Sequence, residues 1–404
     1  MIPEAGARIP RYPREMRALS FLCVLSCVAG CADDAGPEDE GAPQPAPPEA
    51  AGPYAIGVTT VEVQSGDRTL PVEVWYPARG GGEPAEYVLK VGVLELARLP
   101  SPRGARRDAQ LDRRGAPYPA VVFSHGNGGT RIQSVYLTEY LVTHGFVVAA
   151  PDHVGNTFAE QVNKALAIPP AEAAALRPGD VSRALDALLE RSDAPDGTLS
   201  GSTDASRLGV AGHSFGGYTT LRVAGATIDT AAVLAECLAG GGLICDGWEN
   251  VEMPASHADP RFVSALAHAP GGAQAMYGGN RNGFADVSMP VMIQGGTTDA
   301  ITPWATEQEA PFDSLPAPKS LLGIEKAGHF TFSDMCLLIE ELGLTVQEFD
   351  DGCGPSNIPF AEAHAIIDRY STAWFQRTLL GVDVSNVLDP SAPLGPGVAS
   401  FESK

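Results

Sequence analysis

The chain is short of positive charge. Its 404 residues carry 27 Lys and Arg against 49 Asp and Glu, a formal net charge of −22. A surface of that sign repels phosphate backbones and argues against nucleic-acid binding. No apolar run reaches the roughly 18 residues that a membrane span needs. The seven cysteines show no C-x-x-C or Cys/His spacing, so zinc has no visible ligand set, and no EF-hand spacing offers calcium a loop. There is no internal repeat.

Apolar material is ample. Hydrophobic residues make up 44% of the chain and charged ones 19%, enough for a large core. The 45 Gly and 34 Pro promise many tight connections. The length suits one α/β domain with insertions.

The first residues form an address. Arg8, Arg11, Arg14 and Arg17 make a basic region, and Ala18 to Gly30 an apolar one with the length of a signal-peptide core. That run ends in Val28-Ala29-Gly30-Cys31, which resembles a bacterial lipobox and implies cleavage before a lipidated Cys31. An ordinary secretory signal is the other reading, and both export the protein. Residues 1–30 are thus expected to be a signal peptide and 31–53, rich in Pro, Ala and acid, a flexible tether. A catalytic domain over 54–385 and a tail over 386–404 complete the expected organisation. The expected location is outside the bacterial cytoplasm, as a membrane-anchored lipoprotein. Export permits disulfides. Cys237, Cys245, Cys336 and Cys353 allow three pairings, and short loops favour Cys237–Cys245 and Cys336–Cys353.

Strand and helix patterns alternate through the body. Ile56 to Gln64 and Pro71 to Pro77 read as an antiparallel pair, and residues 80–117 as a long loop. Ala120 to Ser124, Phe146 to Ala150, Leu208 to Ala211, Phe262 to Ala267, Val291 to Gln294 and Leu321 to Glu325 are short apolar runs suited to buried strands, the last closing the series. Helices are predicted over Tyr136 to Thr143, around Val181, Leu185, Leu188 and Leu189, and over Ala361 to Leu380. Such alternation predicts an α/β fold with a mainly parallel central sheet and helices on both faces.

The chemistry concentrates at four places. Gly212-His213-Ser214-Phe215-Gly216 is a G-x-S-x-G turn between a strand and a helix. Its glycines allow a bend too sharp for side chains, and the bend holds the Ser214 hydroxyl at a helix N-terminus. A serine hydroxyl needs a base. His329, just after the last predicted strand, is the best placed of the eight histidines; His125 and His213 read as structural. The base needs an acid to fix its tautomer, and Asp299 in Gly295–Pro303 is favoured. Ser124-His125-Gly126-Asn127-Gly128-Gly129 supplies the fourth element. Backbone amides of Asn127 and Phe215 are the expected oxyanion donors.

These segments, with Ala150-Pro151-Asp152-His153 and Ala327-Gly328-His329-Phe330-Thr331-Phe332, resemble the dienelactone-hydrolase and platelet-activating-factor-acetylhydrolase branch of α/β-hydrolases. They are also similar to bacterial polyester hydrolases and cutinases. The likeness runs from about Val58 to Leu380. It implies ester cleavage by a Ser214/Asp299/His329 triad, no cofactor or metal, and a small ester or lipid-like substrate. A monomer that meets a membrane only through its lipid anchor is the expected state. Some acetylhydrolase relatives take the acid one strand earlier. Here that strand is followed by His268-Ala269-Pro270, without a carboxylate, so Asp299 is preferred. Ala226 to Asp259 looks like an insertion near the site, a possible lid. Trp304 and Tyr277 are candidates for the acyl pocket, with core packing as the alternative. Amide or thioester cleavage by the same triad, and a non-catalytic surface binding protein, are the competing functions.

Overall fold

The computed structural model describes residues 41–272, 276–277, 282–343 and 350–404. The expected signal peptide over residues 1–30 and the expected lipidation site Cys31 lie outside the described residues.

Two long strands open the body, β1 (Ala55–Ser65) and β2 (Arg68–Gly80), paired antiparallel as the alternation predicts. A separate hairpin follows, β3 (Glu86–Val91) and β4 (Leu94–Pro100). The loop expected over 80–117 is therefore corrected. The hairpin buries Tyr87, Leu89 and Ala97 on one face, while Arg98 pairs with Glu86 and Glu95 on the other. That heavily charged outer face hid the period of two.

The remaining strands are β5 (Tyr118–Ser124), β6 (Val147–Pro151), β7 (Thr203–His213), β8 (Ser264–His268), β9 (Val291–Gly296), β10 (Lys319–Ile324) and β11 (Val398–Ser403). The central sheet runs β11-β10-β9-β8-β7-β5-β6-β2-β1, with short two-residue strands added beyond. The six strands from β10 to β6 are parallel, and the outer ones antiparallel. This is the mainly parallel sheet of an α/β-hydrolase fold. Strand β11 is a second correction, since residues 386–404 were expected to be a tail and β10 the last strand. Its mixed sequence, with Phe401 alone buried, carries little strand signal.

Helices cover both faces. Helix α1 (Val135–Thr143) and α5 (Phe360–Leu380) lie on one, α2 (Pro170–Asp193) and α3 (Phe215–Val223) on the other. Each strand feeds both layers by its period of two. Val121 and Phe123 of β5 pack with α1 and α5, and Ala120 and Val122 with α2 and α3. Between them, α4 (Thr230–Leu238) lies in the segment anticipated as an insertion.

The tether expectation also needs shortening. Carbonyls of Ala46 and Pro48 accept hydrogen bonds from Gln376 and Tyr140, so the end of that stretch is docked on the body. Disulfides join Cys237 to Cys245 and Cys336 to Cys353. Among the described residues no helix is long and apolar enough to cross a membrane.

Candidate active site

Strand β7 delivers Ser214 to the carboxyl edge of the sheet, at the N-terminus of α3. The residue sits at φ 58° and ψ −118°, a conformation that L side chains rarely adopt. Glycines surround it because nothing larger fits. A Cβ on Gly212 would overlap the carbonyl of Gly216, and one on Gly216 would overlap that of Ser124. The strain is held in place by the Ser214 amide, which donates to the carbonyl of His268 at 2.9 Å.

His329 and Asp299 come from the ends of β10 and β9 and meet Ser214 in a line. The Ser214 hydroxyl is 2.8 Å from His329 Nε2, and His329 Nδ1 is 2.9 Å from Asp299 Oδ2. The chemically consistent assignment puts a proton on Nδ1, donated to the carboxylate. That leaves the Nε2 lone pair for the serine hydroxyl. Both His329 and Asp299 are buried, at 3% and 5% exposure, so little water competes for these bonds. Asp299 is itself fixed: its Oδ1 accepts from the amides of Ile301 (3.0 Å) and Thr302 (2.7 Å). The Thr302 hydroxyl donates to Asp299 Oδ2 at 2.7 Å, and Gln308 Nε2 donates to that hydroxyl.

The loop after β5 lies opposite. Asn127 is exposed at the site, and its side chain accepts from Asn156 Nδ2 at 2.7 Å. No acceptor among the described residues takes the backbone N–H of Asn127 or of Phe215. Free donors beside the Ser214 hydroxyl can receive a negatively charged oxygen.

A buried polar cluster supports this loop. Arg177, 1% exposed on α2, donates to the carbonyls of His125 and Gly126, to Ser124 Oγ (3.2 Å) and to Asn156 Oδ1 (2.6 Å). Its guanidinium also lies over the Phe215 ring. Burial brings its ionisation down to about 9, so it stays cationic at neutral pH. One helical turn on, Asp180 accepts from Ser65, Arg68 and His153. Against the cost of burial, the hydrogen bonds from His153 and Arg68 hold that carboxyl below its usual range. Burial, then Arg177, pushes His153 down to about 4, so the ring is neutral. A neutral ring can donate from Nδ1 to Asp180 and accept at Nε2 from Ser124 Oγ, 2.9 Å away.

His125 and His213 are read as structural from the sequence, and their surroundings fit that reading. Burial, then Arg177 and His153, pushes His125 well down. Burial, then His329 and His268, does the same to His213, which bridges Gln133 and the His329 carbonyl. Pro178 lacks an N–H for the carbonyl of Ala174, and Tyr218 of α3 donates its hydroxyl there instead, at 3.2 Å. The helix that starts at Ser214 is thereby tied to the helix carrying Arg177.

A cavity of about 460 Å³ opens over Ser214 and His329. Pro170, Phe215, Ile244, Met276, Ile301 and Phe330 give it an apolar wall. Gly242 and Ile244 come from the segment anticipated as an insertion, next to the Cys237–Cys245 bridge. Trp304 and Tyr277 are absent from the wall; Tyr277 is fully buried and Trp304 packs on the core. Among the described residues no group of three or more His, Cys, Asp or Glu could hold a metal ion. Sequence reasoning missed Arg177, Asp180, Thr302 and Gln133. Only Thr302 lay inside a quoted motif, and the others carry no local signature.

The sequence likenesses agree with this architecture. A family profile for "Platelet-activating factor acetylhydrolase, isoform II" matches residues 99–161, which include β5, the Asn127 loop and β6. Cutinase 1 of Thermobifida cellulosilytica is 27% identical over 262 residues, 64% of this chain and 68% of its own length. A cutinase of Thermobifida fusca (strain YX) is also 27% identical, over 64% of this chain and 59% of its own length. Cutinase est1 of Thermobifida alba is 26% identical over 285 residues, 68% of this chain and 77% of its own length. The fold is that of an α/β-hydrolase, and these likenesses support its acetylhydrolase and cutinase-like branch. Within that class, the chain is a carboxylic ester hydrolase.

Proposed function

We propose that this is an exported serine esterase that works through an acyl-enzyme on Ser214. His329 takes the Ser214 proton as the hydroxyl attacks the ester carbonyl. Asp299 holds the imidazole in the useful tautomer and stabilises the imidazolium. Amides of Asn127 and Phe215 receive the oxyanion. His329 then returns the proton to the leaving alcohol, and water, activated by the same base, releases the acid.

The observation that carries this reading is the continuous relay from Asp299 to His329 to Ser214 beneath an apolar cavity. The wall favours esters with apolar acyl or alcohol parts, small or lipid-like. The names of the cutinase relatives make polyesters a natural member of the panel. Two disulfides suit an oxidising compartment and so support export. A lipid anchor on Cys31 would hold a monomer of this domain at a membrane surface.

Ser214→Ala is the test. It should lower p-nitrophenyl ester turnover by about 10⁴-fold or more while the unfolding midpoint holds. A fluorophosphonate probe should label the wild type and spare the variant. Undiminished turnover in the variant would sink the mechanism. A wild type that resists the probe and cleaves no ester would favour a binding protein. Preferential turnover of amides or thioesters would reassign the substrate. Release of Cys31 lipopeptide on proteolysis of the membrane fraction would test the anchor.

A further inference from the structure

Asp351 lies outside the three residues of the relay, yet its carboxylate holds the loops that carry two of them. Its Oδ2 accepts from the backbone N–H groups of Ala300 (2.9 Å) and Ile301 (3.1 Å), immediately after Asp299. Its Oδ1 accepts from the backbone N–H of His329 at 3.0 Å. One carboxylate thus bridges loops that leave different strands, β9 and β10.

The approach is close on both sides. A Cβ on Gly328 would overlap Asp351 Oδ1, and one on Gly352 would lie 2.6 Å from the Thr331 amide. Gly352 also has φ 115°, open mainly to glycine. The Asp351-Gly352 backbone is therefore pressed against Gly328–Thr331. Two residues further on, Cys353 is bonded to Cys336, which lies just past the His329 turn. The bridge returns this late segment to the base it braces.

We propose that Asp351 is a positioning residue that sets the Asp299 loop against the His329 loop, and so aligns the carboxylate with Nδ1. The inference rests on the Ser214, His329 and Asp299 reading above. An ionised carboxylate is the suitable brace, because charge-assisted bonds to N–H groups are stronger than neutral ones and both oxygens can accept. Asp351 touches no reacting atom. Its effect reaches the chemistry only through the alignment of the other two.

Asp351→Asn keeps the shape but turns one acceptor oxygen into a donor. Its amide NH₂ must then face an N–H group of one loop, which releases that loop. The variant is compared with wild type, Ser214→Ala, Asp299→Asn and the Asp299→Asn/Asp351→Asn pair on a p-nitrophenyl ester. Near-UV circular dichroism checks that each is folded, and Asp351→Ala serves as a second variant that removes both acceptors. Asp351→Asn should lower kcat by roughly 10- to 100-fold, the cost of a misplacement of about 1 Å. KM should stay within about twofold, since Asp351 itself lines no part of the cavity. In the Asp299→Asn background the same change should cost less than about threefold, because the alignment it protects is already lost. Equal losses in both backgrounds, or a loss carried by KM, would mark a merely structural role and overturn the proposal. Full kcat in both Asp351 variants alongside an inactive Ser214→Ala would overturn it while leaving the esterase reading in place. Full activity of Ser214→Ala would remove both.

Discussion

The two halves of the site are built by different means. Ser214 and the Asn127 loop rest on the interior: strands β5 and β7 are neighbours in the sheet, and Arg177, Asp180 and His153 fill the space behind them. The Asp299 and His329 loops are held by contacts from loop to loop. Their braces are backbone amides, Thr302, and a carboxylate on a late loop closed by a disulfide. An interior support is coupled to folding, because each buried polar atom must keep its partner or the fold loses stability. A loop support can fail locally, with the core intact. Stability and turnover should therefore be coupled in the first half and separable in the second.

The largest test of that contrast is Asp299→Asn. On the proposed mechanism, loss of the Asp299 carboxylate should lower kcat by about 10³- to 10⁴-fold. The urea unfolding midpoint should move little, because the amide side chain still caps the loop. A matching collapse in stability would show that this half, too, is woven into the core.

Arg177→Met is the counterpart. It strands the Asn156 side-chain oxygen and the His125 carbonyl without their buried donor. The expected destabilisation is about 3 kcal/mol by chemical denaturation, with turnover falling alongside. A variant of normal stability that had lost only kcat would break the comparison from the other side.

The smallest effect sharpens it by pH. His153 titrates near 4 in the folded protein, below the ordinary histidine value of 6.5. Between those values the unfolded chain binds a proton that the folded one refuses. The stability that neutral His153 allows is thus fully present above about pH 6.5 and is lost as the pH falls toward 4, by about 1.4 kcal/mol per unit. Wild type should accordingly lose stability relative to His153→Asn on going from pH 7 to pH 5 in urea titrations. A constant gap between the two would show that the folded ring takes up its proton as readily as the unfolded one.

Much of the architecture is legible in the chain. The buried parallel strands announce themselves as short apolar runs, since a strand covered on both faces has no polar side to show. The hairpin β3–β4 and the edge strand β11 escape notice for the opposite reason. Each buries only one sparse face and clothes the other with charge, such as Arg98 and Glu402. The Ser214 turn is readable because its geometry demands glycine at fixed offsets, and no other residue type can stand in.

By itself the sequence determined the order of the buried strands, the elbow at Ser214 and the short list from which His329 and Asp299 were drawn. The backbone imposes those choices locally, through forbidden φ values, strand period and the reach of a turn. Tertiary structure alone decided what surrounds them. Arg177 behind Asn127, Thr302 beside Asp299 and Asp351 across to His329 meet only after the sheet has closed. Such contacts need one side chain at one point in space, and many positions along a chain can supply it. They therefore leave no pattern of spacing to read.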